Sequence, residues 1–350
     1  MVIDPQAALT PARATSLPGI QASYRNSFAD FVVEEFNTIT LSGTGEHVWL
    51  KIRKTGSNTS WIADQLAKLA KVKSKDVGFA GLKDRNAVTT QWFSVCLAGK
   101  PEPDWSALEG PDLTILENSR HSRKLRRGAL QGNRFTVTLR EMSGAVGNLH
   151  DMLTLIKQQG VPNYFGPQRF GRHASNLTMA EKLFNRQLQR CKRAQRSIYL
   201  SAARSLLFNR LLQQRVRDGS WHRALLGDVM MKDGSHACFL HDGTDPDIAQ
   251  RTTALEIHPT GILWGEGELM TGGEVARLEQ SIIDAEPVYR DGLVAARVEM
   301  QRRALRTALT DLAWDRQDDV LILSFSLPAG SYATAVLNEL GVMRDVSVCA

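Results

Sequence analysis

One carboxylate stands out by its setting. Asp84 lies in GFAGLKDRNAVTTQWFS (residues 78–94), between Lys83 and Arg85, after two glycines and before a stretch rich in Thr, Gln and Trp. LKDRN reads in two ways: as a charged turn of the kind that joins elements in any soluble protein, or as a loop holding an acid for chemistry. A carboxylate can attack carbon as a nucleophile. For that it must stay ionised in a partly dry pocket, where a nearby cation offsets the cost of desolvation. In an extended chain Lys83 and Arg85 project away from Asp84, because neighbouring side chains face opposite sides. The cation is therefore expected from another segment, and Arg25, ahead of SFADFVV, is the candidate; its other reading is an exposed arginine at a strand end.

Other chemistries find less support. The chain has no GxxxxGK[ST] phosphate loop, no HExxH and no GxSxG. Asp318–Asp319 and Glu34–Glu35 are adjacent pairs, which a strand would split between two faces. Four cysteines, Cys96, Cys191, Cys238 and Cys349, and eight histidines are scattered, with no CxxC. A disulfide framework, a structural zinc and a bound metal are not expected, and the compartment is expected to be reducing and cytoplasmic. No apolar run approaches the length of a membrane span, and the start shows no basic-then-apolar leader pattern.

With 350 residues, 43% hydrophobic and 23% charged, the chain has the composition of a soluble protein of about two domains. Its net charge of +6 gathers in RHSRKLRRG (120–128), RQLQRCKRAQR (186–196) and MQRRALR (300–306). Each cluster alone reads as a solvated face, but three together suit a surface that tracks phosphates.

The elements that must position Asp84 are legible in outline. DFVVEEF (30–36), EHVWLKIRKTG (46–56), TTQWFSVCL and GNRFTVTLREM read as strands. In the last of these Phe135, Val137 and Leu139 share a side. SNTSWIADQLAKLAKV reads as a helix capped by Ser57, Asn58 or Thr59, and AVGNLHDMLTLIKQQG (145–160) as another, closed by Gly160. Residues 174–219 read as almost continuous helix, 220–272 as mixed and glycine-rich, and DVLILSFSLPAGSYATAVLNELG as strand, turn and helix. The sheet signals lie ahead of residue 145 and return only near the end. The simplest topology is thus an α+β domain with a helix-rich insertion.

GFAGLKDRNAVTTQW resembles the signature of the TruD family of tRNA pseudouridine synthases, and DFVVEE, RKLRRGALQGNRFTV, VPNYFGPQRFG, LSAARSLLFN and LPAGSYATAVL agree with it in order. The resemblance implies a mixed, mainly antiparallel pseudouridine-synthase sheet interrupted by a TRUD domain. The expected bounds are a catalytic domain over 1–157 and 304–350 and an insertion over 158–303. It implies conversion of a tRNA uridine, at position 13 in bacterial members, to pseudouridine without a cofactor, with tRNA as partner; no obligate protein partner and a monomer are expected of the chain. Asp84 stands at the nucleophile's place, Arg25 where a lysine is expected, and Phe31, Asn133, Phe135 and Tyr332 where the family contacts the target nucleotide. Tyr332 replaces an expected phenylalanine, and its hydroxyl needs a partner. Arg123, Lys124, Arg126, Arg127 and Arg169 are candidate RNA contacts. In NYFGPQRFG, Phe170 is a further one, whereas Tyr164 and Phe165 read better as a packed hinge.

Overall fold

A computed structural model describes residues 11–188 and 190–348. Cys349 and the start of the proline-rich N-terminal stretch lie outside the described residues. In chain order the first part runs β1 (Ile20–Tyr24), β2 (Phe31–Phe36), β3 (His47–Thr55), α1 (Thr59–Leu69), β4 (Val77–Phe79), β5 (Val88–Cys96), β6 (Leu113–His121) and β7 (Gly132–Gly144). There follow α2 (Leu149–Gln159), β8 (Val161–Pro162), α3 (Ser175–Phe184), α4 (Arg193–Arg217), β9 (Val229–Lys232), β10 (Cys238–Leu240), α5 (Ile248–Thr253) and β11 (Ile257–Leu263). The chain then runs through α6 (Gly273–Asp284), α7 (Pro287–Ala295), β12 (Gln301–Ala304), β13 (Arg306–Thr307), β14 (Thr310–Gln317), β15 (Val320–Pro328), α8 (Ala333–Leu340) and β16 (Gly341–Asp345).

Two compact units result. The sheet unit comprises residues 19–147, 309–330 and 341–348; the helical unit comprises 11–18, 148–308 and 331–340. These bounds differ from the expected 157/158 and 303/304. α2 and α8 pack together in the helical unit. Glu339 of α8 explains why residues 11–18 join them: its Oε2 accepts from the Ala14 and Thr15 amides at 2.8 and 3.3 Å, and its carbonyl accepts from Arg13 at 3.0 Å. Burial pushes the Glu339 carboxyl up to about 7 even against those donors.

The sheet unit holds a ten-stranded sheet, ordered β14-β15-β7-β2-β5-β3-β6, with β1 and β16 joined at β7 and β4 at β5. Its pairs are antiparallel except β1–β16 and β2–β5, so the expected mixed, mainly antiparallel sheet is present. Register decides what shares a face, because strand side chains alternate. Lys54 lies beside Thr89, Thr89 beside Val33, Val33 beside Phe135, and Phe135 beside Phe325. One face therefore carries Ile52 and Lys54 of β3, Gln91 and Phe93 of β5, Phe31 and Glu35 of β2, and Asn133 and Phe135 of β7. α1 covers the apolar end of this face, where Ile62 and Leu66 meet Leu50, Ile52 and Phe93, all fully buried. Burying such a side chain is worth roughly 1.5–3 kcal/mol.

The helical unit is built on α4, whose Leu206, Leu207, Phe208, Leu211 and Leu212 are buried among α3, α7 and β11 residues. The break between α3 and α4 interrupts the helix expected over 174–219. The expectation that sheet signals end near residue 145 is overturned. Among the described residues the helical unit has its own four-stranded sheet, β10-β9-β11-β12. Its central strands escape period-two reading because β9 and β11 are buried on both faces, so apolar and polar positions do not alternate. Pro259 inside β11 obscures it further. No described helix is long and apolar enough to cross a membrane. Cys96, Cys191 and Cys238 are free thiols.

Candidate active site

The site belongs to the sheet unit and is built on the polar end of the face described above. Asp84 sits in the irregular segment between β4 and β5. That loop is held through its backbone. Thr59 Oγ1 accepts the Lys83 amide at 3.0 Å and donates to Gln91 Oε1 at 2.9 Å. Lys54 Nζ donates to the carbonyls of Ser57 at 2.6 Å and Asp84 at 3.2 Å. Arg85 turns outward, donating from Nε to the Gly56 carbonyl at 3.3 Å. Of the two glycines before the loop, Gly78 is required: a Cβ there would lie 2.4 Å from the Leu125 carbonyl oxygen. At Gly81 a Cβ would meet only Lys83 Nζ, at 3.9 Å, so space is open beside that ammonium.

Asp84 and Arg25 meet as expected. Arg25 Nη2 donates to Asp84 Oδ2 at 2.7 Å. The same guanidinium donates from Nη1 to Asp345 Oδ2, also at 2.7 Å. Charge-assisted bonds of this kind are short and orienting. The fork is thus shared between two acids, which a lysine's point charge would do less specifically. Arg25 has φ 60°, a left-handed conformation that costs a non-glycine residue about 1–2 kcal/mol. Its guanidinium also lies over the Phe31 ring, 4.1 Å from the centroid. The following turn is fixed by Asp30, which accepts from the Ser27 amide at 2.8 Å and from Arg140 at 2.7 Å. Burial opposes the Asp30 charge, but the Arg140 and Ser27 bonds prevail and hold its carboxyl below the usual range.

Exposure sorts the trio. The Arg25 side chain is 6% exposed, Asp345 20% and Asp84 34%. Asp84 is the member that faces solvent, and none of the described residues bonds its Oδ1. Asp345 comes from β16, whose parallel register with β1 sets it beside Tyr24. Burial first, then the Asp345 charge, pushes the Tyr24 phenol well above its usual range.

Sequence reading gave no role in this site to Glu35, Lys54 or Asp345; the first two, with Lys83, complete its floor. Glu35 is the direct cross-strand neighbour of Asn133. Its side chain has no exposed surface; Oε1 lies 2.8 Å from Lys83 Nζ and Oε2 accepts the Trp92 amide at 2.9 Å. Burial pushes the Glu35 carboxyl up, against the pull of Lys83 and the Trp92 amide. Lys83 Nζ also donates to Asn133 Oδ1 at 2.7 Å. Lys54 is fully buried, and burial pulls its ammonium down to about 8, against the Asp84 charge. A signal for two of them existed. Lys54 follows Val48, Leu50 and Ile52 at the same parity, and Glu35 follows Phe31 and Val33, so each is a charge on the apolar face of its strand. Asp345 had no such signal.

The remaining expected residues are placed as follows. Phe31 and Phe135 are buried, 2% and 7% exposed, with Phe135 stacked on Phe325 at 5.5 Å and edge-on to Phe31 at 6.2 Å. Asn133 is partly exposed. Arg123, Arg126 and Arg127 are exposed on the loop between β6 and β7. Trp49 Nε1 anchors that loop at the Arg123 carbonyl, 2.8 Å away, and Lys124 donates to the Lys75 carbonyl. Tyr332 lies in the helical unit, where its hydroxyl finds the partner it needs in Arg169 Nη2, at 2.7 Å. Arg169 also donates to Ser201 at 3.0 Å.

Two expectations fail. Phe170 is fully buried with Tyr164 and Phe165, so it offers RNA no ring. The basic run 300–306 is not an open phosphate surface. Arg302 pairs with buried Glu279 at 2.8 Å, and Arg306, 2% exposed, donates to His258 and to the carbonyls of Thr252 and Ile257.

A sequence model of the family described as tRNA pseudouridine synthase D (TruD) matches residues 10–190 and 174–340. The chain belongs to the TruD family. Among its TruD relatives, the tRNA pseudouridine synthase D of Methylococcus capsulatus is 50% identical over 317 residues, 90% of each chain. That of Hydrogenovibrio crunogenus is 45% identical, covering 89% of this chain and 90% of its own. That of Xanthomonas campestris is 43% identical, covering 96% of this chain and 95% of its own. The TruD fold is matched by the crystal structure of a putative tRNA pseudouridine synthase D from Methanosarcina mazei, with TM-score 0.73, 18% identity and coverage of 96% and 97% of the two chains.

Proposed function

We propose that the chain isomerises a uridine of tRNA, at position 13, to pseudouridine, with Asp84 as the attacking group and without a cofactor. The observation that carries this reading is the asymmetry of the Arg25–Asp84 pair: a buried guanidinium fixes one oxygen of a carboxylate whose side chain is one-third exposed and whose other oxygen no described residue bonds. Family membership supplies the reaction class.

Pseudouridine formation breaks the bond between ribose C1′ and uracil N1, turns the base, joins C1′ to C5, and moves a proton so that C5 loses one and N1 gains one. It consumes no redox equivalent and no nucleotide. Its needs are a nucleophile, a means of taking the base out of its stack, and a surface that grips the released base. Asp84 serves the first. Partly exposed Asn133 and the edges of Phe31 and Phe135 serve the last; the two rings are so well buried that they act as the wall of the pocket rather than as free stacking platforms. Arg25 orients the nucleophile, and Asp345 orients Arg25. Exposed Arg123, Arg126 and Arg127 supply phosphate contacts, which make binding salt-dependent.

The test is Asp84→Asn. Pseudouridine mapped in tRNA incubated with the variant is expected to fall by at least about a thousandfold, with tRNA affinity within a few-fold. Normal turnover by Asp84→Asn would show that another group attacks. A non-catalytic RNA-binding protein on the same fold is the rival reading, and it predicts no pseudouridine from the unaltered protein on any unmodified tRNA.

A further inference from the structure

We propose that Glu35 and Lys83 are positioning residues that lock Asn133 with its NH2 group turned to the reacting base, so that the site selects a ring carbonyl, as in uracil, over the exocyclic amine of cytosine. This rests on the reading of Asp84 and its surroundings as the active site.

The two ends of an asparagine amide are nearly isosteric, and only hydrogen bonding decides which way they point. Here the decision is forced. An ammonium group has three donors and no acceptor. Lys83 Nζ lies 2.7 Å from the Asn133 amide, so the atom facing it is the carbonyl oxygen, Oδ1. The ammonium is itself held by Glu35, 2.8 Å away, whose side chain is completely buried and whose second oxygen is occupied by the Trp92 amide. Glu35 and Asn133 are paired across β2 and β7, so the geometry is set by the sheet and not by a mobile side chain. The Asn133 NH2 then points away from Lys83, and the described residues offer it no acceptor. Asn133 lies on the strand face that carries Phe135, and the Lys83 that holds it is the chain neighbour of Asp84, with open space at Gly81 beside its ammonium.

An NH2 in that position is a donor only. Uracil presents carbonyl oxygens to it. Cytosine, turned the same way, presents an amine in place of O4, so two donors would face each other. Sites built to bond a particular polar group reject the analogue lacking it far more strongly than apolar pockets reject a size change.

The experiment compares tRNAs that differ only in having uridine or cytidine at the modified position. The cytidine form is used as a competitive inhibitor of uridine turnover. For the unaltered protein its inhibition constant is expected to exceed the uridine KM by at least about tenfold. In the double variant Glu35→Gln/Lys83→Met no charge is left stranded, the amide is free to turn, and the ratio is expected to fall to within about threefold. Lys83→Arg, which still only donates, is expected to keep the discrimination even where it lowers kcat. A double variant that is slower yet discriminates as before would reduce the pair to a structural role and overturn the proposal, as would an unaltered protein that does not discriminate. Failure of the catalytic reading shows up separately, as turnover by Asp84→Asn, which the competition ratio does not measure.

Discussion

In the helical unit Arg215 closes on Asp228 through two bonds of 2.8 and 2.9 Å, and the side chains are 1% and 0% exposed. Both carboxylate oxygens are taken up and both terminal nitrogens of the guanidinium are bonded: Asp228 also accepts the Leu225 amide at 2.8 Å, and Arg215 donates to the Ser220 carbonyl at 2.9 Å. In the sheet unit Arg25 meets Asp84 at an equally short 2.7 Å, but by one bond, with the acid 34% exposed and the guanidinium divided between two carboxylates. Distance does not separate these pairs. What separates them is whether the acid has an oxygen left over, and which partner the protein hides. A pair closed on both sides can only hold the fold together, whereas one that buries its cation and leaves its anion open can meet a ligand.

The comparison can be broken most severely by exchanging the expected losses. Arg215→Met leaves Asp228 buried without its cation and is expected to cost about 3–5 kcal/mol, read from the urea midpoint, with turnover per folded molecule unchanged. Arg25→Met is expected to do the reverse: a loss of turnover of about a hundredfold or more, with a smaller loss of stability because Asp84 and Asp345 can both reach solvent. If Arg25→Met unfolded the protein and Arg215→Met lowered kcat alone, exposure would be the wrong criterion. Asp345→Asn sharpens the point. It leaves Arg25 its bond to Asp84 but loosens the fork, and kcat is expected to fall about tenfold with KM nearly unchanged.

The smallest expected effect concerns Lys54. Its ammonium is pulled by burial to about 8, below its ordinary 10.5. Between those values the unfolded chain binds the proton that the folded protein has already lost, so this group's contribution to stability rises with pH across that window and its penalty is complete below it. Urea midpoints of the unaltered protein and Lys54→Met, taken at about pH 7.5 and about pH 9.5, are expected to converge at the higher pH. Divergence there would mean that the Ser57 and Asp84 carbonyls, not solvation, govern the state of Lys54.

How far the sequence could be read follows from the same contrast. Strands with one wet face, such as β2 and β3, declared themselves by alternation; Asp84 drew attention by the composition of its segment, and Arg25 was the candidate for a cation that Lys83 and Arg85 could not supply. β9 and β11 were not found, since burial on both faces erases the period. Arg302 and Arg306 were misread as open because a run of basic residues does not show that its strands turn into a core holding Glu279 and His258. Thr59 was read as a possible helix cap; the capping position falls to Asn58, and the Thr59 hydroxyl instead holds the loop of Asp84. Asp345 was invisible because its role exists only through pairing with a strand at the other end of the chain.

That last pairing has a consequence for biosynthesis. Arg25 is separated in sequence from Asp84 by 59 positions but from Asp345 by 320. While a ribosome is still making the chain, the first acid and its cation have long since emerged, yet the strand that steadies the cation has not been translated. A nascent chain therefore holds Arg25 and Asp84 without the second acid until residue 345 has been added, and an abortive product missing residues 341–345 is expected to lack the contact that steadies Arg25 however well the rest of it had folded.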